Sequence, residues 1–103
     1  MEKTFGETVN KLREEKQLPL REVAKALKID TSTLGKIEKN SRKPTKQLID
    51  RIAGYFKVNG KDLRVAFLSD EIAYQVLDEE GISDEIFKAA EEKVKYLKNK
   101  KES

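Results

Sequence analysis

Apolar residues recur along this chain at helical spacing. Phe5, Val9 and Leu12 stand at i, i+4 and i+7, one stripe of a helix over 4–16. Thr4 and Glu7 have the spacing of a capping box at its start. Leu18 and Pro19 end that helix and open the next, over 20–27, where Val23, Ala24 and Leu27 share a face. Ile29 falls in a turn, and Asp30 sits where an N-cap is wanted. A third helix over 31–39 turns Leu34 and Ile37 inward. Residues 40–44 form an irregular basic exit. Thr45 caps a fourth helix over 46–56, with Leu48, Ile49, Ile52, Ala53 and Phe56 apolar. Asn59-Gly60 is a turn signal before a fifth helix over 61–68.

Two more helices are expected beyond it. Ser69-Asp70-Glu71 reads as the start of a sixth, over 70–79, with Ile72, Ala73, Val76 and Leu77 inside and Gly81 as its stop. Ser83-Asp84-Glu85 starts a seventh, over 84–98. The pattern therefore predicts an all-α protein. Residues 1–68 form five short helices around one core, and residues 69–103 form a two-helix extension.

The second and third helices organise the rest. Ala24 is small where they would cross most closely. The outward face of the third helix carries Thr31, Ser32, Gly35, Lys36 and Lys39, short polar or long cationic side chains without an acid among them. Charge sharpens the picture. Residues 1–68 hold 16 Lys or Arg against 9 Asp or Glu, a net of +7, and residues 69–103 hold 6 against 10, a net of −4. Basic charge concentrated on one unit points to a polyanionic partner. The acidic tail points to something other than DNA.

With no His and no Cys in 103 residues, Ser-His chemistry, thiolate nucleophiles, disulfides and histidine metal ligation are excluded. No cluster of carboxylates and lysines suggests a catalytic pocket, no cofactor motif is present, and no apolar run is long enough to span a membrane. An intracellular, non-enzymatic protein with a cytoplasmic location is the simple expectation.

Val23, Ala24, Leu27, Ile29, Leu34, Ile37 and Glu38, followed by Asn40 and Arg42-Lys43-Pro44, resemble the helix-turn-helix of the Cro/cI-type, lambda-repressor-like transcription regulators, the XRE family. The resemblance covers about residues 5–63. It implies a five-helix DNA-binding domain whose third helix lies in the major groove of double-stranded DNA. It puts Thr31, Ser32 and Lys36 at base-reading positions. Hydroxyls bond to base edges, a Thr methyl packs on thymine, and Lys reaches guanine O6 and N7. Thr33, Lys39, Asn40, Arg42 and Lys43 would contact the DNA backbone. Glu38 would be structural, with Arg13 as its partner. Two positions depart from the family. Leu20 stands where Gln often contacts DNA, so that contact is not carried over. Lys28 stands where the turn often has Gly.

The seventh helix carries Phe87, Ala90, Val94 and Leu97 at 3-4-3 spacing, the seam of a short coiled coil. A helix packed on its own domain would show the same stripe, but a single helix-turn-helix reads only a few base pairs, so the stripe is read in preference as a dimerisation surface serving an operator of two inverted half-sites. The resulting expectation is a homodimeric repressor or autoregulator that needs no cofactor. The alternative is a protein–protein interaction module that keeps the scaffold but acts through its acidic C-terminal helices. Tyr55, Tyr74 and Tyr96 lie outside the basic cluster and are read as surface or interface residues, not base-stacking platforms.

Overall fold

The computed structural model describes residues 3–102. They form six α-helices: α1 (Phe5–Glu15), α2 (Leu20–Leu27), α3 (Thr31–Glu38), α4 (Lys46–Phe56), α5 (Gly60–Val76) and α6 (Ser83–Glu102). No strand occurs among the described residues. The chain divides into two compact units, one ending at Asp70 and the other beginning at Glu71.

The helix starts follow local chemistry. Thr4 Oγ1 accepts from the Glu7 N–H at 3.2 Å, and Glu7 Oε1 accepts from the Thr4 N–H at 3.0 Å, which completes the capping box. Thr45 Oγ1 accepts from Leu48 N–H, and Asn59 Oδ1 accepts from the N–H groups of Lys61 and Asp62. Asp30 occupies the N-cap position of α3 with extended backbone, but its carboxylate makes no capping bond.

The ends of α1 to α4 share one device. Gln17, Lys28, Asn40 and Lys57 each adopt a left-handed conformation, with φ between 54° and 61°. The residue after each donates back five positions: Leu18 to Arg13, Ile29 to Ala24, Ser41 to Lys36 and Val58 to Ala53. These are Schellman closures without glycine. Leu18, Ile29 and Val58 also seat their apolar side chains against the core, which offsets the ~1 kcal/mol that each left-handed non-glycine residue costs.

The core joins α1 to α5. Phe5, Val9, Val23, Leu27, Leu34, Ile37, Ile52 and Phe56 are all buried, and Leu63 and Ala66 close it from α5. Tyr55 is half-buried and packs edge-to-face on Phe56, while Tyr74 and Tyr96 are exposed.

One element differs from the sequence expectation. The fifth and sixth expected helices are a single helix, so the five-plus-two division becomes six helices among the described residues. Ser69 and Asp70 do not start a helix. Ser69 Oγ donates to the carbonyl of Ala66 one turn back. Asp70 accepts the N–H of Phe5 at 2.6 Å, 65 residues away in sequence. That N–H is one of the unpaired donors in the first turn of α1, and a carboxylate there is favoured by the helix dipole. With no Gly or Pro between Gly60 and Val76, nothing interrupts the backbone. The helix ends at Val76 rather than Glu79, and Gly81, at φ +82°, lies in the turn that follows. The last helix continues past Lys98 to Glu102.

Gly54 offers a direct test of helix propensity. It lies inside α4, and a Cβ built on it meets no atom within 4 Å. Gly54→Ala is expected to stabilise the fold by about 0.5–1 kcal/mol, read as a higher urea midpoint.

Candidate nucleic-acid interface

The eight residues of α3 divide cleanly by exposure. Leu34, Ile37 and Glu38 are buried. Thr31, Ser32 and Lys36 are exposed, as is Lys39 just after the helix. Thr33 and Gly35 are half-buried at the flanks. The period of 3.6 residues forces this division once Leu34 and Ile37 enter the core. Leu20, at the start of α2, stands beside Gly35, with its Cδ2 3.5 Å from where a Cβ on Gly35 would lie.

The inner side of α3 is held by a polar cluster against α1. The Arg13 guanidinium donates from Nε to Glu38 Oε2 at 2.9 Å and from Nη2 to Glu38 Oε1 at 3.0 Å. Its Nη1 donates to the Leu18 carbonyl, and Asn10 Nδ2 donates to Glu38 Oε1. Glu38 thus has the structural role and the partner that the sequence suggested. An acid in the last turn of a helix is disfavoured by the dipole. Here the bidentate guanidinium outweighs that, because charge-assisted paired bonds are the strong class. The hydrogen bonds to Glu38 raise the Arg13 pKa, so the cation is secured.

The exit from α3 is fixed as well. Asn40 Oδ1 accepts the Gly6 N–H at 3.0 Å, and Asn40 Nδ2 donates to Thr4 Oγ1 at 2.8 Å. The Asn40 side chain is therefore occupied within the protein and ties the end of α3 to the start of α1. Ser41, Arg42 and Lys43 follow as exposed loop residues. The fold brings Thr31, Ser32, Lys36 and Lys39 onto one helix face, with Arg42 and Lys43 in the loop after it. Phe87, Ala90, Val94 and Leu97 lie on α6, in the other unit.

Sequence reasoning missed Gly6, Asn10 and Asp70 as residues that position this site. Asn10 and Asp70 gave no local signal, since each acts on a residue far away in sequence. Gly6 did give one, a glycine in the first turn of a well-capped helix.

The Glu7 carboxyl is held below its ordinary range, chiefly by the Thr4 backbone N–H and then by the Thr4 hydroxyl. A carboxyl with a depressed folded pKa stabilises the fold above its unfolded pKa and loses that contribution as pH falls through the folded one. Glu7→Gln is therefore expected to lose less stability than the wild type on acidification through the carboxylate range, followed by thermal denaturation.

Two helices meeting across a tight turn, the second with a buried apolar side and an acid-free polar side, define a helix-turn-helix domain. A helix-turn-helix family model matches residues 9–63, more than half of the chain. The chain belongs to that family, the XRE or Cro/cI-like helix-turn-helix regulators, and is a DNA-binding regulator by that membership. Neither the curated proteins nor the solved structures give a match to the chain. No helix among the described residues is long and apolar enough to cross a membrane, and these residues hold no cluster of His, Cys, Asp or Glu suited to a metal ion.

Proposed function

We propose that this protein is a sequence-specific transcriptional repressor that binds its operator as a homodimer, with α3 as the major-groove helix. The observation that carries the reading is the division of α3. Its inner side is locked by core packing and the Arg13–Glu38 pair, which leaves Thr31, Ser32, Lys36 and Lys39 as an exposed face without an acid. A helix fixed in this way presents its outer side chains with little orientational freedom, which favours reading base edges over loose attraction to phosphate.

In this reading Thr31, Ser32 and Lys36 contact bases, while Thr33, Lys39, Arg42 and Lys43 contact phosphates. Asn40 holds the loop that carries Arg42 and Lys43, a role supported by its bonds to Thr4 and Gly6. The exposed stripe Phe87, Ala90, Val94 and Leu97 on α6 provides self-association. Two subunits then engage two inverted half-sites, and repression follows protein concentration without a ligand.

Fluorescence anisotropy on a duplex selected by the protein tests these roles. Lys36→Ala is expected to weaken binding to the selected duplex by about 1–3 kcal/mol while leaving binding to unrelated DNA nearly unchanged. Arg42→Ala with Lys43→Ala should weaken binding to both DNAs alike and lower the salt slope by about 2. Equal losses on both DNAs from Lys36→Ala would remove it as a base reader.

A further inference from the structure

The outer surface of α4 and α5 carries a groove of about 500 Å³. Its floor is apolar, made by Ile49, Val65, Phe67 and Leu68. Val65 and Leu68 are about half exposed, a large apolar area for a small domain to leave in water. The rim is cationic. Arg64 is held by Asp50 at 3.0 Å, while Lys46 and Lys61 stand exposed beside the groove.

The same chain carries an exposed apolar stripe with acids beside its N-terminal half and Lys93 and Lys98 beside its C-terminal half. On α6, Phe87, Val94 and Leu97 are exposed along one stripe. Asp84 and Glu91 stand three residues before and four residues after Phe87, so they edge its N-terminal half. An apolar groove with a cationic rim fits an amphipathic helix with an acidic edge, the helix-in-groove mode of recognition.

We infer that the groove of one copy receives the α6 stripe of a second copy. This rests on the homodimer reading above and names the surfaces that would form it. Reciprocity selects the second copy. Because groove and stripe belong to one chain, a symmetric exchange covers two grooves and two stripes in a single closed dimer. A seam between two α6 helices would leave both grooves bare. Lys46 and Lys61 then face Asp84 and Glu91 of the other copy.

The chain has no cysteine, so introduced thiols are the only ones present. Leu68→Cys on a tagged full-length chain is mixed with Val94→Cys on an untagged chain under mild oxidation. The expected product is a disulfide between tagged and untagged copies, with each single variant alone remaining uncross-linked. Independently, Lys61→Glu is expected to weaken dimerisation about tenfold in sedimentation. An acid in the first turn of α5 suits the dipole, so this variant keeps its fold. Adding Glu91→Lys to the Lys61→Glu chain is expected to restore the dimer.

Two results would overturn the inference while sparing the dimer: Val94→Cys cross-linking to itself, or a dimer indifferent to the Lys61 and Glu91 exchange. A Leu68→Cys, Val94→Cys double variant that closes only within a monomer would also overturn it. A wild-type chain that stays monomeric at micromolar concentration, with and without DNA, would remove the homodimer reading together with it.

Discussion

Glu38→Ala is expected to destabilise the helix-turn-helix unit by about 3 kcal/mol, the scale for breaking one side of a buried ion pair. Only 6% of the Glu38 side chain and 15% of the Arg13 side chain reach solvent. Removing the carboxylate strands the guanidinium Nε and Nη2 and the Asn10 amide where water has little access. The remaining exposure of Arg13 keeps the figure at the low end of the range. For a domain of this size the loss is a fall in Tm of roughly 12–24 °C. Most of it reflects the stranded charge rather than intrinsic attraction within the pair. Arg13→Met with Glu38→Leu should therefore recover part of the loss, because no uncompensated ion remains. A single variant that unfolds with the wild-type midpoint would show that the pair does not hold α3 to α1.

Gly6→Ala is expected to cost about 3 kcal/mol, the upper part of the range for overpacking, although alanine is ordinarily the better helix former. A Cβ on Gly6 would lie 2.5 Å from the carbonyl oxygens of both Ile37 and Glu38, and 2.6 Å from Asn40 Oδ1. Two of those neighbours are backbone, so relief requires moving the start of α1 away from the end of α3. That movement stretches the Gly6–Asn40 bond and loosens the loop carrying Arg42 and Lys43. DNA affinity should fall along with stability. Gly54→Ala is the control: the same substitution in another helix, with opposite expected sign. Equal urea midpoints for the two variants would refute the close approach.

The contrast between these glycines shows where local sequence stops being informative. Four helices and their inward faces were legible, because Phe5, Val9, Val23, Leu27, Leu34, Ile37, Ile49 and Ile52 repeat at helical spacing and all are buried. The turn after α2 was legible despite Lys28, because Ile29 supplies the apolar anchor that a Schellman closure uses. The Arg13–Glu38 pair was legible only through the family resemblance, which implies a structural acid at Glu38; burial then explains why that acid needs a cation. The helix break expected at Ser69 was misread for a physical reason. Ser-Asp-Glu is good capping chemistry, yet capping competes with continuation, and here the Asp70 carboxylate caps α1 instead. Sequence spacing carries no information about a bond between residues 5 and 70. The Asn40 side chain is a similar case. Its bonds to Thr4 and Gly6 depend on how α1 meets α3.

The most direct test of the central claim is selection from a random-sequence duplex library, run with the wild type and with a Thr31→Ala, Ser32→Ala, Lys36→Ala variant. Thermal denaturation of the variant should first establish an intact fold, as expected for three exposed positions. The wild type is predicted to enrich an inverted repeat with half-site centres about one helical turn apart, and its affinity should fall steeply with salt. The variant is predicted to enrich no such repeat. The contradicting result is enrichment of the same repeat by both proteins, which would move recognition away from α3. Absence of any enriched sequence for the folded wild type would contradict sequence-specific DNA reading itself.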